Sequence, residues 1–236
     1  MKRLAARNGG FTLVELLVAI AVMALLSEMA WSGLDAMARA QTRAQEYSDD
    51  VSALQAGLTQ WSTDLNAMAP VAPVGALDFD GRVLRITRQY GADQVATGQS
   101  EPVSQGGGSI RVIAWGARMV AGQRQWLRWQ SAPTRSRFEL QSAWEQAALW
   151  GQNPSDELRK REVAVTAIDE WQVFYYRNNS WSSPLSSAAG MEGAAAGGRT
   201  ALPDGVRLVL TLSAGQALSG KLTRDWVRPT LGTGGA

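Results

Sequence analysis

Residues 9–31 read GGFTLVELLVAIAVMALLSEMAW, and the apolar run that begins at Phe11 decides the fold of the N-terminal part. About twenty mostly apolar residues suffice to cross a bilayer as a helix. The ten residues before the run contain three basic residues and no acidic one: Lys2, Arg3 and Arg7. Because basic flanks tend to stay on the cytoplasmic side, we predict one membrane span over residues 11–31, with the following chain on the far side.

Two features distinguish this stretch from a secretory signal peptide or a plain signal anchor, which remain the alternatives. A signal peptide has its small-residue cleavage site after the apolar core, whereas Gly9 and Gly10 precede it. Glu15 lies inside the apolar run, where a carboxylate costs about 2.5–3.5 kcal/mol or more at the bilayer centre. This carboxylate therefore calls for a partner.

The motif Gly9-Gly10-Phe11-Thr12-Leu13-Val14-Glu15 closely resembles the processing site of type IV pilins and type II secretion pseudopilins. The resemblance implies that a prepilin peptidase removes residues 1–10 as a leader, cutting between Gly10 and Phe11, and N-methylates Phe11. It also implies that Glu15 pairs with the amino terminus of a neighbouring subunit in a fibre. The mature chain would then be a single-pass protein of the bacterial inner membrane with its C-terminal domain in the periplasm.

A single long helix is predicted over residues 11–68, because only isolated glycines and no proline interrupt it. From residue 34 onward apolar positions recur in steps of three and four, which is a helical period. They are Leu34, Met37, Ala44, Tyr47, Val51, Leu54, Leu58, Trp61, Leu65 and Met68. Pro70 and Pro73 end the pattern. Residues 32–69 are thus predicted as the soluble continuation of the helix, packed on a sheet of the same chain; a coiled coil with another chain is the alternative.

Residues 70–230 are predicted as a β-rich globular domain, followed by a disordered tail at 231–236. Short alternating runs indicate strands at 82–88, 110–119, 125–130, 138–141, 163–168, 171–176, 207–212 and 222–227. Hairpin turns are expected at Ala121-Gly122 and between 212 and 222, and loose stretches at 91–108 and 182–199. A long helix followed by antiparallel strands makes the fold class α+β, in a pilin-like arrangement.

Composition excludes much of enzyme chemistry. The chain has no cysteine and no histidine, which removes thiolate and imidazole metal sites and the Cys–His and Ser–His–Asp nucleophiles. Asp78-Phe79-Asp80-Gly81 alternates carboxylates but lacks the later glutamate of a calcium loop, so a turn before a strand is expected. We predict no enzyme activity, no catalytic residue, no metal and no cofactor.

Charge argues against nucleic acid as a partner. Without the three basic residues of the leader, 20 Lys and Arg stand against 21 Asp and Glu. The basic pI of about 9.2 therefore depends largely on residues 1–10. A basic stripe on the mature domain would instead favour a DNA-uptake or adhesion pilin, and its candidates are Arg82, Arg85, Arg88, Arg135 and Arg137.

The order of later features is similar to that of the minor pseudopilin J branch of type II secretion systems. The shared features are a Trp-rich hairpin (Trp115, Trp126 and Trp129), an aromatic run ending at Trp181, and Leu202-Pro203-Asp204-Gly205-Val206. Of the tryptophans, we expect Trp61 and Trp115 to be buried and Trp181 to lie on a surface.

The resemblance to the J branch implies a structural minor pseudopilin at the tip of the type II secretion pseudopilus. Such a protein would aid fibre initiation and protein export across the outer membrane. Its implied partners are the minor pseudopilins of the I and K types, the major pseudopilin and the prepilin peptidase. The alternative is a minor pilin of a type IV pilus or a DNA-uptake machine.

Overall fold

The computed structural model describes residues 11–90, 109–186 and 202–229. Gly10, the predicted loose stretch 91–108, most of the stretch 182–199 and the predicted tail lie outside the described residues. The chain divides into two compact units, Met1–Ser48 and Asp49–Ala236.

Helix α1 runs from Leu13 to Asn66 and confirms the predicted long helix to within two residues at each end. Every residue from 11 to 50 is exposed, including the apolar ones. By length and composition this helix can cross a membrane. A single N-terminal apolar helix of this kind fits a single-pass membrane anchor.

In the second unit the described residues form an eight-stranded antiparallel sheet, which confirms the α+β class. Its order is β1-β2-β3-β4-β5-β7-β8, and β6 pairs with β5 away from this path. The strands are β1 (Leu77–Phe79), β2 (Val83–Gln89), β3 (Ile110–Val120), β4 (Gln123–Gln130), β5 (Glu162–Arg177), β6 (Ser180–Ser182), β7 (Gly205–Leu212) and β8 (Gly220–Val227). The two strands predicted at 163–168 and 171–176 are one strand, β5, which pairs first with β4 and then with β7.

The strand predicted at 138–141 was wrong, because these residues begin helix α2 (Arg137–Gln152). Ser136 caps this helix by accepting a hydrogen bond from the Glu139 N–H, and Glu139 accepts one from the Arg135 N–H. A serine followed three residues later by a glutamate is a sequence signature of a helix start. A four-residue run is too short for its period to separate strand from helix. The short helix α3 (Asp156–Arg159) was not predicted either.

Both predicted hairpin turns are confirmed. Ala121 and Gly122 join β3 to β4 with φ of 49° and 84°, the left-handed pair that a two-residue hairpin requires. Gly215, with φ of 90°, lies in the connection from β7 to β8, and Gly220, with φ of 96°, begins β8.

The sheet carries a core on each face, since successive side chains of a strand point to opposite sides. On one side, Trp61 of α1 packs at 5.5 Å from Trp115, which stacks at 4.5 Å on Trp126. On the other side, Trp129 stacks on Trp150 of α2 at 6.4 Å. Trp61 and Trp115 are buried as predicted.

Candidate assembly segment and buried anchor

The start of α1 is a reciprocal cap formed by Thr12 and Glu15. The Glu15 N–H donates to Thr12 Oγ1 at 3.3 Å, while the Thr12 N–H and Oγ1 donate to Glu15 Oε2 at 3.4 and 3.3 Å. Because the helix begins at Leu13, Thr12 is the capping residue and Glu15 the third helical residue, the positions of a capping box. Within the chain the carboxylate thus already has partners at its own helix start.

Phe11 and Glu15, the two predicted site residues that the structure describes, lie together at this helix start, and both are exposed. Only Oε2 of Glu15 is engaged by other described residues, so Oε1 can accept a further hydrogen bond. The apolar side chains that follow are solvent-exposed as far as Trp31. A carboxylate at the head of such an apolar surface is costly to bury in a bilayer unless a further partner satisfies it.

The predicted apolar stripe of α1 divides into an exposed and a buried half. Met37 is 70% exposed and Leu34 and Tyr47 are also exposed, whereas Leu54 is 4% exposed and Trp61 is fully buried. The buried half packs on the sheet, as predicted. The exposed half defines a surface that we call the α1 stripe: Leu34, Met37, Ala44 and Tyr47.

Asp64, near the end of α1, is fully buried and is bound by five hydrogen-bond donors. Arg88 Nη1 lies 2.5 Å from Oδ1, and Arg128 donates from Nε at 2.7 Å and from Nη2 at 3.0 Å. Trp115 Nε1 donates at 3.0 Å and Gln60 Nε2 at 2.8 Å. The burial of this charge is therefore compensated, and the network attaches the helix end to β2, β3 and β4.

Sequence reasoning missed this network because its partners lie 24, 51 and 64 positions after Asp64. The available signal was an acidic residue next to the apolar stripe, between Trp61 and Leu65. The network also stabilises the charged form of Arg128. Burial acts to lower the pKa of the Arg128 guanidinium, but the hydrogen bonds and charge of Asp64 outweigh burial and raise this pKa above its ordinary value.

The alternating carboxylates of Asp78, in β1, and Asp80, just after it, both have partners within the fold. Asp80 Oδ1 accepts from the Arg82 N–H at 2.9 Å and from the Val83 N–H at 2.8 Å, which forms the expected turn, and Asp78 pairs with Arg85. In residues 11–90, 109–186 and 202–229, no group of three or more acidic side chains is placed to hold a metal ion.

The five arginines considered as a basic stripe do not form one surface. Arg88 is buried against Asp64, and Arg85 pairs with Asp78 and lies 4.9 Å from the ring centre of Trp144. The other three are exposed: Arg82, Arg135 and Arg137. Trp181, expected on a surface, is half-buried under Arg207, whose guanidinium carbon is 4.2 Å from its ring centre.

Comparison with known proteins adds two matches. The family described as "Prokaryotic N-terminal methylation motif" matches residues 5–27, the segment that contains the Thr12–Glu15 cap. The chain is also 39% identical over 64 residues to the type II secretion system protein J of Klebsiella pneumoniae. That alignment covers 27% of this chain and 32% of the relative, so the chain aligns with about a third of the length of the protein it matches.

Proposed function

We propose that this chain is a structural minor pseudopilin at the tip of a type II secretion pseudopilus, an assignment that its two pseudopilin-like matches support. There it would aid fibre initiation and protein export across the outer membrane. One observation carries the proposal: a capped carboxylate, Glu15, lies near the start of the exposed apolar segment of α1, inside the matched methylation motif.

The first step of the proposed mechanism is processing by a prepilin peptidase. It would cut between Gly10 and Phe11 and methylate the new amino terminus. The freed ammonium would lie one residue before the helix cap, beside the positive end of the helix dipole. Because a cation is unfavourable there, a nearby carboxylate stabilises it.

The second step is assembly through Glu15. Its Oε1 is available to accept a hydrogen bond from the amino terminus of a neighbouring subunit, while Thr12 keeps Oε2 oriented. An incompletely paired carboxylate is costly in the apolar layer of the bilayer. When the subunit enters the fibre, the charged amino terminus of the neighbour would pair with Glu15 and remove this cost. The α1 stripe would pack against helices of other subunits: the I and K types and then the major pseudopilin.

In this proposal residues 11–31 lie in the inner membrane, residues 32–69 continue the helix, and residues 70–230 form a periplasmic domain. The N-terminal segment equally suits the alternative, a minor pilin of a type IV pilus or DNA-uptake machine. The dispersed arginines make DNA binding the weaker candidate, since Arg85 and Arg88 are paired within the fold.

The test of processing is intact mass and N-terminal sequencing of the full chain produced beside its prepilin peptidase. We expect a mass reduced by residues 1–10 and a methylated Phe11 at the start. An uncut chain, or one cut beyond Ala30, would mean that the motif is a chance match and would overturn the fibre assignment.

The test of assembly compares Glu15→Gln with Glu28→Gln, a matched change in the same exposed helix. We expect cleavage of both, but crosslinking to the other pseudopilins only in the wild type and Glu28→Gln. Equal crosslinking of the two variants would contradict the role of Glu15. Deleting the gene should then reduce protein secretion; loss of surface pili or DNA uptake instead would favour the alternative.

A further inference from the structure

A cleft of about 410 Å³ lies beside the N-terminal half of α2, between this helix and the segment that follows β4. We call it the α2 cleft. The side chains that matter here are Arg135, Phe138, Glu139, Ser142, Gln146 and Arg161. All belong to the second unit, so the cleft is independent of the N-terminal segment on which the proposed function depends.

The cleft carries an excess of positive charge. The guanidinium groups of Arg135 and Arg161 are exposed and have no ion pair or hydrogen bond within residues 11–90, 109–186 and 202–229. Glu139 is the acidic residue of the lining, and its carboxylate already accepts the Arg135 N–H at 2.6 Å. Elsewhere in the domain Arg85, Arg118 and Arg207 are paired with carboxylates.

An apolar group accompanies these charges. Phe138, in the first turn of α2, is 83% exposed and lines the cleft. Ser142 and Gln146 lie one and two turns further along the helix, joined by a hydrogen bond of 3.2 Å. Arginine and aromatic side chains beside a concave polar surface are the residues that dominate binding at protein interfaces.

We infer that the α2 cleft docks an acidic segment of another protein. A carboxylate of that segment would pair with Arg135 and Arg161, and a neighbouring apolar side chain would cover Phe138. Charge complementarity favours this occupant, since the lining has two unpaired guanidiniums and only one carboxylate, that of Glu139. A nucleic acid fits less well, because it needs cations spaced along a strand, and two of the five stripe candidates, Arg85 and Arg88, are paired with carboxylates of the fold.

The experiment uses the full processed chain in detergent and an array of short peptides that alternate Asp or Glu with Leu or Phe. Each acidic peptide has a matched amide version with Asn or Gln. The best acidic peptide is then labelled with fluorescein and titrated against wild type, the double variant Arg135→Glu/Arg161→Glu, and Phe138→Ser. Arg82→Glu/Arg124→Glu is the control, because these arginines are exposed elsewhere and the change in net charge is the same.

The inference predicts that acidic peptides bind better than their amide versions and that Arg135→Glu/Arg161→Glu weakens binding by at least about tenfold. Phe138→Ser should also weaken binding, while the control double variant stays near wild type. Raising the salt from about 0.05 M to about 0.5 M should reduce the affinity.

Three results would overturn the inference: no preference for acidic peptides, equal loss in both double variants, or a single-stranded oligonucleotide that depends on Arg135 and Arg161 while the peptides do not bind. Circular dichroism of each variant separates lost binding from lost folding. Because the substituted side chains are exposed, we expect all the variants to fold.

Discussion

Asp64 illustrates how much of this domain depends on one carboxylate. Its burial without partners would cost several kcal/mol, and its five donors offset that cost. The dependence is mutual, because Arg88 is also buried and has this carboxylate as its ion-pair partner. Removing one partner of such a cluster leaves the others charged and buried.

Asp64→Asn is therefore expected to lower the free energy of unfolding by about 3–5 kcal/mol. Urea unfolding followed by tryptophan fluorescence measures this change, since Trp61 and Trp115 are next to the site. Asp225→Asn is the control: its bond to Arg207 is on the surface, so the loss should be within about 1 kcal/mol. Equal losses of unfolding free energy in the two variants would contradict the stabilising role of the Asp64 network.

The Asp225 carboxylate gives a pH-dependent prediction. The hydrogen bond from Arg207 lowers the pKa of Asp225 below its ordinary value of 3.8. Because the folded-state pKa is the lower one, the pair stabilises the fold above the ordinary pKa, and this contribution is lost as the pH falls through the lowered pKa. Carboxyl NMR titration should show the low pKa in the wild type and its return toward the ordinary value in Arg207→Gln. An unchanged pKa in the variant would exclude Arg207 as the cause.

Tyr175 presents the opposite situation to Asp64. Its hydroxyl is buried without a hydrogen-bond partner among the described residues, and burial raises its pKa. Tyr175→Phe removes an unsatisfied polar atom and keeps the ring, so we expect the free energy of unfolding to rise by about 1 kcal/mol. Thermal unfolding measures this rise, and a fall in the melting temperature would show that the hydroxyl has a partner.

At the scale of elements, helix α1 lies close against the sheet at Gly57. A Cβ there would lie 2.2 Å from Val165 Cγ1 and 3.2 Å from Trp126 Cζ3, whereas a Cβ at Gly33 would meet nothing within 4 Å. The glycine in the second unit is thus required for packing, despite its cost of about 1 kcal/mol in a helix. The contact explains why the sequence tolerates a helix-weakening residue at this position.

Gly57→Ala should accordingly destabilise the domain by about 1–3 kcal/mol, although alanine is the better helix former. Adding Val165→Ala provides the control, because it removes the methyl group that the new Cβ would meet. We expect the double variant to be less destabilised than the sum of the single ones, as chemical denaturation of all four proteins would show. If the free-energy changes of the two single variants simply added, the contact between a Cβ at position 57 and Val165 would not be the cause of the destabilisation.

Elements with long or distinctive local patterns could be predicted from the sequence. The 3–4 spacing specified α1, and Ala121-Gly122 specified the β3–β4 hairpin. Helix α2 was missed where only residues 138–141 were considered, although its cap at Ser136 and Glu139 was visible. The Asp64 network and the α2 cleft depend on distant strands coming together, which no local pattern encodes. The apolar segment that begins at Phe11 and the position of Glu15 were identified from the motif. The structure adds the capping box between Thr12 and Glu15.

At the scale of the whole molecule, helix α1 belongs to both compact units, and its apolar residues have a different environment in each. The first unit leaves its apolar residues exposed, and the second buries the continuation of the same stripe. A substitution in the exposed half can therefore change assembly without changing folding. A substitution in the buried half affects folding first.

Under the proposed function, Met37→Glu should abolish crosslinking to pseudopilins while changing the unfolding free energy of the second unit by less than about 0.5 kcal/mol. Leu54→Glu is the contrasting variant, since it buries an unpaired charge in the core and should unfold this unit. Crosslinking and urea unfolding of both proteins check the prediction. Retained crosslinking in Met37→Glu would show that the α1 stripe is not an assembly surface.

The Asp64 network also has a consequence for the order of events during protein synthesis. Asp64 leaves the ribosome 64 positions before Arg128, which at about 5–20 residues per second is on the order of 3–13 seconds. During that interval β1, β2 and β3 are made, but β4 is incomplete and the two hydrogen bonds from Arg128 to Asp64 cannot form. The Asp64 network can therefore close only once β4 has been made, which places the final docking of the helix end after synthesis of the middle third of the chain.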